Sequence, residues 1–202
     1  MLCHAKNGRI AGTDYIRFGT GNRTLVILPG LGDGLQTVKG TALPMAWMYR
    51  MFAGDFTVYM FSRKSSLPRG HSTRDMARDL KETMDALDIR QADLLGVSMG
   101  GMIAQWLAID SPQKVDRLIL AVTSSRPNKI LTASIEEWMQ QAHNKDHRAL
   151  MDSNMQKIYS EGYCRKNGWM VPILGVVTKP KSYERFLIVN VNEYLSQVLA
   201  NI

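Results

Sequence analysis

Residues 92–101 read Ala92-Asp93-Leu94-Leu95-Gly96-Val97-Ser98-Met99-Gly100-Gly101, and this stretch decides the fold. Ala92 to Val97, apolar apart from Asp93, suits a strand buried on both faces. Met99 to Ile109 then continues as a helix until Ser111-Pro112 stops it. A serine therefore stands at an abrupt strand-to-helix turn, flanked by Gly96 and Gly100 in the pattern G-x-S-x-G. So tight a turn strains the serine backbone and leaves no space for flanking side chains, which is why glycine is needed there. The pentapeptide alone also admits a plainer reading, in which the glycines mark a turn and Ser98 merely caps a helix.

The surrounding sequence repeats the same alternation. Thr24 to Leu28 is a buried strand stopped by Pro29-Gly30, Thr57 to Phe61 is the next, and Arg117 to Val122 gives another after the helix. Arg9 to Phe18 reads as an early hairpin or edge strand. Ser72-Thr73-Arg74-Asp75 forms a capping box, and Met76, Leu80, Met84 and Leu87 follow at helical spacing, giving a crossover helix. Strands alternating with helices predict an α/β fold with a mostly parallel sheet. From Ile130 to about Tyr183 the chain instead reads as a helical insertion broken by Gly162, Gly168, Pro172 and Pro180. Beyond Tyr183, the spacing of Phe186, Leu187, Val191, Tyr194, Leu195, Val198 and Leu199 predicts a closing helix. The β-branched content of Phe186 to Val191 also permits a strand.

The elbow has a chemical reading. A helix beginning at Met99 turns its unpaired N–H groups and positive dipole end toward the serine, where an oxyanion would develop. Met99 is one candidate backbone donor. The glycine-rich turn Leu28-Pro29-Gly30-Leu31-Gly32-Asp33-Gly34 follows a strand in the position expected of the second donor, for which Leu31 N–H is the candidate. Two correctly placed loops favour the nucleophile reading of Ser98 over the helix-cap reading.

With these motifs, the chain from about Arg9 to Ile188 resembles the α/β-hydrolase superfamily, in particular its small esterase, enol-lactonase and carboxylester-hydrolase branch with a helical cap. Leu28 to Gly32 resembles the oxyanion loop, Asp93 to Gly101 the elbow, and Val115 to Leu120 the sixth strand. The resemblance implies a core over residues 1–125, a helical cap over 126–188 and a divergent tail over 189–202. It also implies a serine hydrolase of small carboxylic esters or related acyl compounds that needs no cofactor.

The family's chain order is serine, then a carboxylate after a later strand, then a histidine near the C-terminus. No histidine follows His147, and Ser124-Ser125 fills the loop where some relatives place an alternative acid. The expectation is a chain truncated or diverged in its final segment, with the last strands missing and Ser98 nearly inert without a base to take its proton. His71, in a loop at the ligand-binding end of the sheet, is the weak candidate for a substitute base; a solvent-exposed loop histidine is the preferred reading. His4 lies in the N-terminal stretch. His143 and His147 stand four apart on what reads as one helix, a spacing able to hold a metal, yet no third ligand follows and no metal is expected. Trp138, Met139, Met151, Met155, Trp169 and Met170 either line an acyl pocket or pack the cap onto the core.

Composition narrows the function further. With 202 residues, 45% hydrophobic, the chain suits one domain with a substantial core. Its formal charge of +7 is scattered rather than clustered, as in Arg63-Lys64 and Arg165-Lys166, which argues for a solvated surface and against a nucleic-acid partner. No run approaches the roughly 20 apolar residues of a membrane span, and the start lacks a signal peptide's apolar stretch, so no membrane partner and a cytoplasmic location are expected. Cys3 and Cys164 make neither a disulfide framework nor a zinc-spaced set. A sheet ending at Arg117 to Val122 would present an apolar edge, from which a homo-oligomer is expected. The rival from another class is a non-catalytic ligand-binding or interaction protein that keeps the pocket but lacks the base.

Overall fold

The computed structural model describes residues 4–125, 128–180 and 182–190. Six strands form one sheet in the order β1-β2-β4-β3-β5-β6, comprising β1 (Lys6–Ile10), β2 (Thr13–Phe18), β3 (Arg23–Leu28), β4 (Phe56–Lys64), β5 (Ala92–Val97) and β6 (Val115–Ala121). The pairs β4·β3, β3·β5 and β5·β6 are parallel, whereas β1·β2 and β2·β4 are antiparallel. This is the expected mostly parallel α/β architecture, with the early hairpin at one edge.

Alternation along the strands assigns the two layers. Val26 and Leu28 of β3 point toward α2 (Thr73–Ala86) and α3 (Met99–Asp110), where Met76, Leu80, Met84, Ile103 and Leu107 are buried with Leu94. Leu25 and Ile27 point to the other face, where Ala42 and Ala46 of α1 (Ala42–Met48) pack with Ile16, Val58 and Met60. Each of the larger buried side chains contributes about 1.5–3 kcal/mol. The capping box at α2 forms as predicted: the Ser72 hydroxyl accepts from the Asp75 N–H at 3.1 Å, and the Ser72 N–H donates to Asp75 Oδ2 at 3.0 Å.

Helices α4 (Lys129–His143), α5 (His147–Ile158), α6 (Glu161–Asn167) and α7 (Met170–Val177) follow β6, and residues 184–190 are again helical. That helix takes the closing-helix alternative over the strand for residues 186–190; the continuation through Val191 to Leu199 lies outside the described residues. One reading is corrected. His143 ends α4 and His147 begins α5, because Asn144 and Lys145 form a turn between them in which Lys145 has φ 57°, so the two imidazoles do not share a helix face. Among the described residues no helix is long and apolar enough to cross a membrane.

Among the described strands β6 closes one edge, and Leu118, Ile119 and Leu120 are 36%, 47% and 44% exposed. Because neighbouring residues of a strand point to opposite faces, this exposure means that neither face of β6 is fully covered.

Candidate active site

At the C-terminal end of β5 the chain reverses into α3 through Ser98, whose φ of 53° and ψ of −124° lie outside the conformations an L-residue readily adopts. Two backbone bonds hold this strain in place: Ser98 N–H donates to the Ala121 carbonyl at 2.9 Å, and Gly101 N–H to the Ser98 carbonyl at 2.8 Å. The flanking glycines are required by close approach. A Cβ on Gly96 would lie 2.5 Å from Gly101 Cα, and one on Gly100 would overlap the Leu28 carbonyl oxygen and sit 2.8 Å from that of Pro29. These contacts pin the start of α3 between β3 and its following loop. Ser98 is half-buried, and its hydroxyl has no hydrogen-bond partner among the described residues.

The loop after β3 comes directly against this elbow. A Cβ on Gly30 would lie 3.2 Å from Ser98 Cβ and 3.7 Å from its Oγ, so a side chain there would crowd the serine. Leu31 opens the 3₁₀ turn Leu31–Gly34, and Met99, with its side chain 1% exposed, opens α3. As first residues of helical turns, both have N–H groups without an intrahelical acceptor. The site thus brings the hydroxyl of Ser98 and two uncommitted turn-opening amides to one end of the sheet.

Beside the loop lies an ionic cluster that sequence reading missed. Asp33 is 5% exposed, and its Oδ2 faces Arg63 at 3.1 Å and Arg185 at 2.8 Å. Burial pushes its carboxyl upward, but the two guanidiniums together with the Ser62 hydroxyl outweigh that effect and hold it below its ordinary value. The one available signal was an acid set among the glycines of Leu31-Gly32-Asp33-Gly34. Nothing in the spacing could name its partners, one of them 152 residues away.

His71 is half-buried rather than the solvent-exposed loop histidine expected: its Nε2 lies 2.7 Å from Asp79 Oδ2 on α2, and Asp79 also binds Lys64 at 2.7 Å. Among the described residues it makes no hydrogen bond to Ser98. His147 is buried, with Nε2 3.1 Å from the Thr178 hydroxyl, and burial and then the charge of Lys179 lower its pKa. No group of three or more potential metal-binding side chains occurs among the described residues. Of the aromatic and methionine set, Trp138 and Met151 pack against Ala142, Leu150, Tyr183 and Phe186, a cluster that also touches Leu31, whereas Trp169 is 66% exposed.

Residues 23–165, from β3 through the elbow into α6, match the family model described as alpha/beta hydrolase fold. The chain belongs to the α/β-hydrolase family. A 3-oxoadipate enol-lactonase 2 from Acinetobacter baylyi is 31% identical over 120 residues, which cover 56% of this chain and 42% of the relative. A putative carbamate hydrolase RutD from Variovorax paradoxus is 26% identical over 107 residues, 53% of this chain and 40% of the relative. The solved enol-lactonase from Burkholderia xenovorans LB400 superimposes with a TM-score of 0.73 at 18% identity, over 95% of this chain and 74% of that structure. This α/β-hydrolase chain spans less than half the length of the curated relatives it matches.

Proposed function

We propose that this chain carries the nucleophile and oxyanion half of a serine hydrolase acting on small carboxylic esters or related acyl compounds. Ser98 Oγ attacks the acyl carbonyl, and the Leu31 and Met99 N–H groups receive the negative charge that develops on its oxygen. The observation that carries this reading is the strained Ser98 backbone, φ 53° and ψ −124°, set against the side-chain-free Gly30. A serine serving only as a helix cap has no use for such strain, and Ser98 makes no side-chain cap bond to α3. Catalysis needs an imidazole to take the Ser98 proton, and among the described residues neither His71, which pairs with Asp79, nor His147, which pairs with Thr178, hydrogen-bonds to Ser98. Similarity to an enol-lactonase and a carbamate hydrolase supports acyl chemistry in general.

A second reading, a pocket-bearing protein without catalysis, is favoured by the lack of any hydrogen-bond partner for the Ser98 hydroxyl among the described residues. A fluorophosphonate probe separates the two, with Ser98→Ala as the control. Stoichiometric labelling that disappears in the variant supports the hydrolase. No labelling, or labelling that survives Ser98→Ala, supports the binding protein.

A further inference from the structure

We propose that Arg63, Asp33 and Arg185 are positioning residues that set the direction of the Leu31 N–H, so that the oxyanion donor is aimed only when the helix at 184–190 is docked on the loop. This rests on the reading of Leu31 as a donor. The Arg63 guanidinium donates to the carbonyl oxygens of Pro29 and Gly30, both at 2.9 Å. The Gly30 carbonyl and the Leu31 N–H belong to one planar peptide unit, in which the C=O and N–H of a trans amide point in opposite directions. Holding the Gly30 oxygen therefore turns the Leu31 N–H away from Arg63.

Arg63 is itself held. It is 7% exposed, faces Asp33 Oδ2 at 3.1 Å, and donates its own backbone N–H to the same oxygen at 3.1 Å. Arg185 closes the cluster from the far end of the chain, donating to Asp33 Oδ2 at 2.8 Å, to the Arg63 carbonyl at 3.1 Å and to the Asp33 carbonyl. An independent contact shows how tightly its helix sits on the loop: a Cβ on Gly34 would lie 3.1 Å from Phe186 Cα. Three loop carbonyls, those of Pro29, Gly30 and Asp33, are thus oriented by two guanidiniums, and one carboxylate keeps both guanidiniums in place. Lysine has one compact donor group where arginine has a planar fork, so Arg63→Lys keeps the charge and loses the geometry that reaches both carbonyls.

The test measures N–H bond direction and amide exchange in the full chain carrying Arg185→Met, Arg185→Lys or Arg63→Lys. The Arg185 variants keep the Arg63 and Asp33 side chains, whose charges still balance, so a folded protein is expected while the grip of Arg185 on Asp33 and on the Arg63 carbonyl is lost. The residual dipolar coupling of the Leu31 N–H should depart from the wild-type orientation. Exchange at Asp33, Leu35 and Gln36, whose N–H groups bond within the loop, should accelerate about tenfold or more while β3 and β5 amides stay protected. An unchanged Leu31 coupling, or faster exchange spread evenly through β3 and β5, overturns the proposal. Fluorophosphonate labelling of the same variants tests the underlying reading separately. If wild-type Ser98 does not react, the nucleophile assignment fails, while the coupling and exchange data still decide whether the cluster orients the loop.

Discussion

A methyl group on Gly100 would overlap the Leu28 carbonyl oxygen, backbone against backbone, where no side-chain rotation can relieve it. Gly32, two positions from the loop's contact with Ser98, has nothing within 4 Å of an added Cβ. Gly100→Ala should therefore cost about 2 kcal/mol or more, and Gly32→Ala well under 1 kcal/mol, both read from urea midpoints. Equal effects would contradict the close packing assigned to the elbow. The elbow was legible in the sequence because glycine and serine at fixed offsets report backbone geometry directly. Asp33 was not, since a buried carboxylate is recognised by its counter-ions, and Arg63 and Arg185 reach it from distant segments.

At the scale of elements, the loop after β3, the end of β4 and the helix at 184–190 meet through one charge. The Asp33 pKa is depressed, so its contribution to stability is fully present above its ordinary, unfolded-chain value and is lost as the pH falls through the lower folded value. Asp33→Asn should thus be less stable than wild type by about 3 kcal/mol near neutral pH. The gap should narrow only once the pH drops below the usual carboxylate range. Urea titrations of both proteins across that range check this, and a gap that is constant down to strong acid would refute it. Element types were readable from periodicity: β3, β5, α2 and α3 formed as the alternation and the capping box required. The break between α4 and α5 was not, because Lys145 carries its positive φ without a glycine to announce it.

Over the whole molecule, the β6 edge is where apolar surface meets solvent. Leu118 and Leu120 share one face, Ile119 takes the other, and all three are at least 36% exposed. We propose that this edge associates with a second copy, since an apolar strand left uncovered by the described residues offers both ladder groups and apolar surface. Sedimentation of the chain at rising concentration should reveal species larger than a monomer, and Leu118→Lys with Leu120→Lys should shift them toward monomer. A monomer at every concentration would count against association. The parallel order β4-β3-β5-β6 matters for the site as well, because it delivers the ends of β3 and β5 side by side, placing Gly30 against Ser98.

The most direct measurement is a crystal structure of the protein after reaction with a fluorophosphonate. Phosphorus is expected on Ser98 Oγ, with the phosphoryl oxygen about 2.7–3.1 Å from the Leu31 and Met99 nitrogens. An adduct on another residue, or a phosphoryl oxygen turned away from both amides, would contradict it.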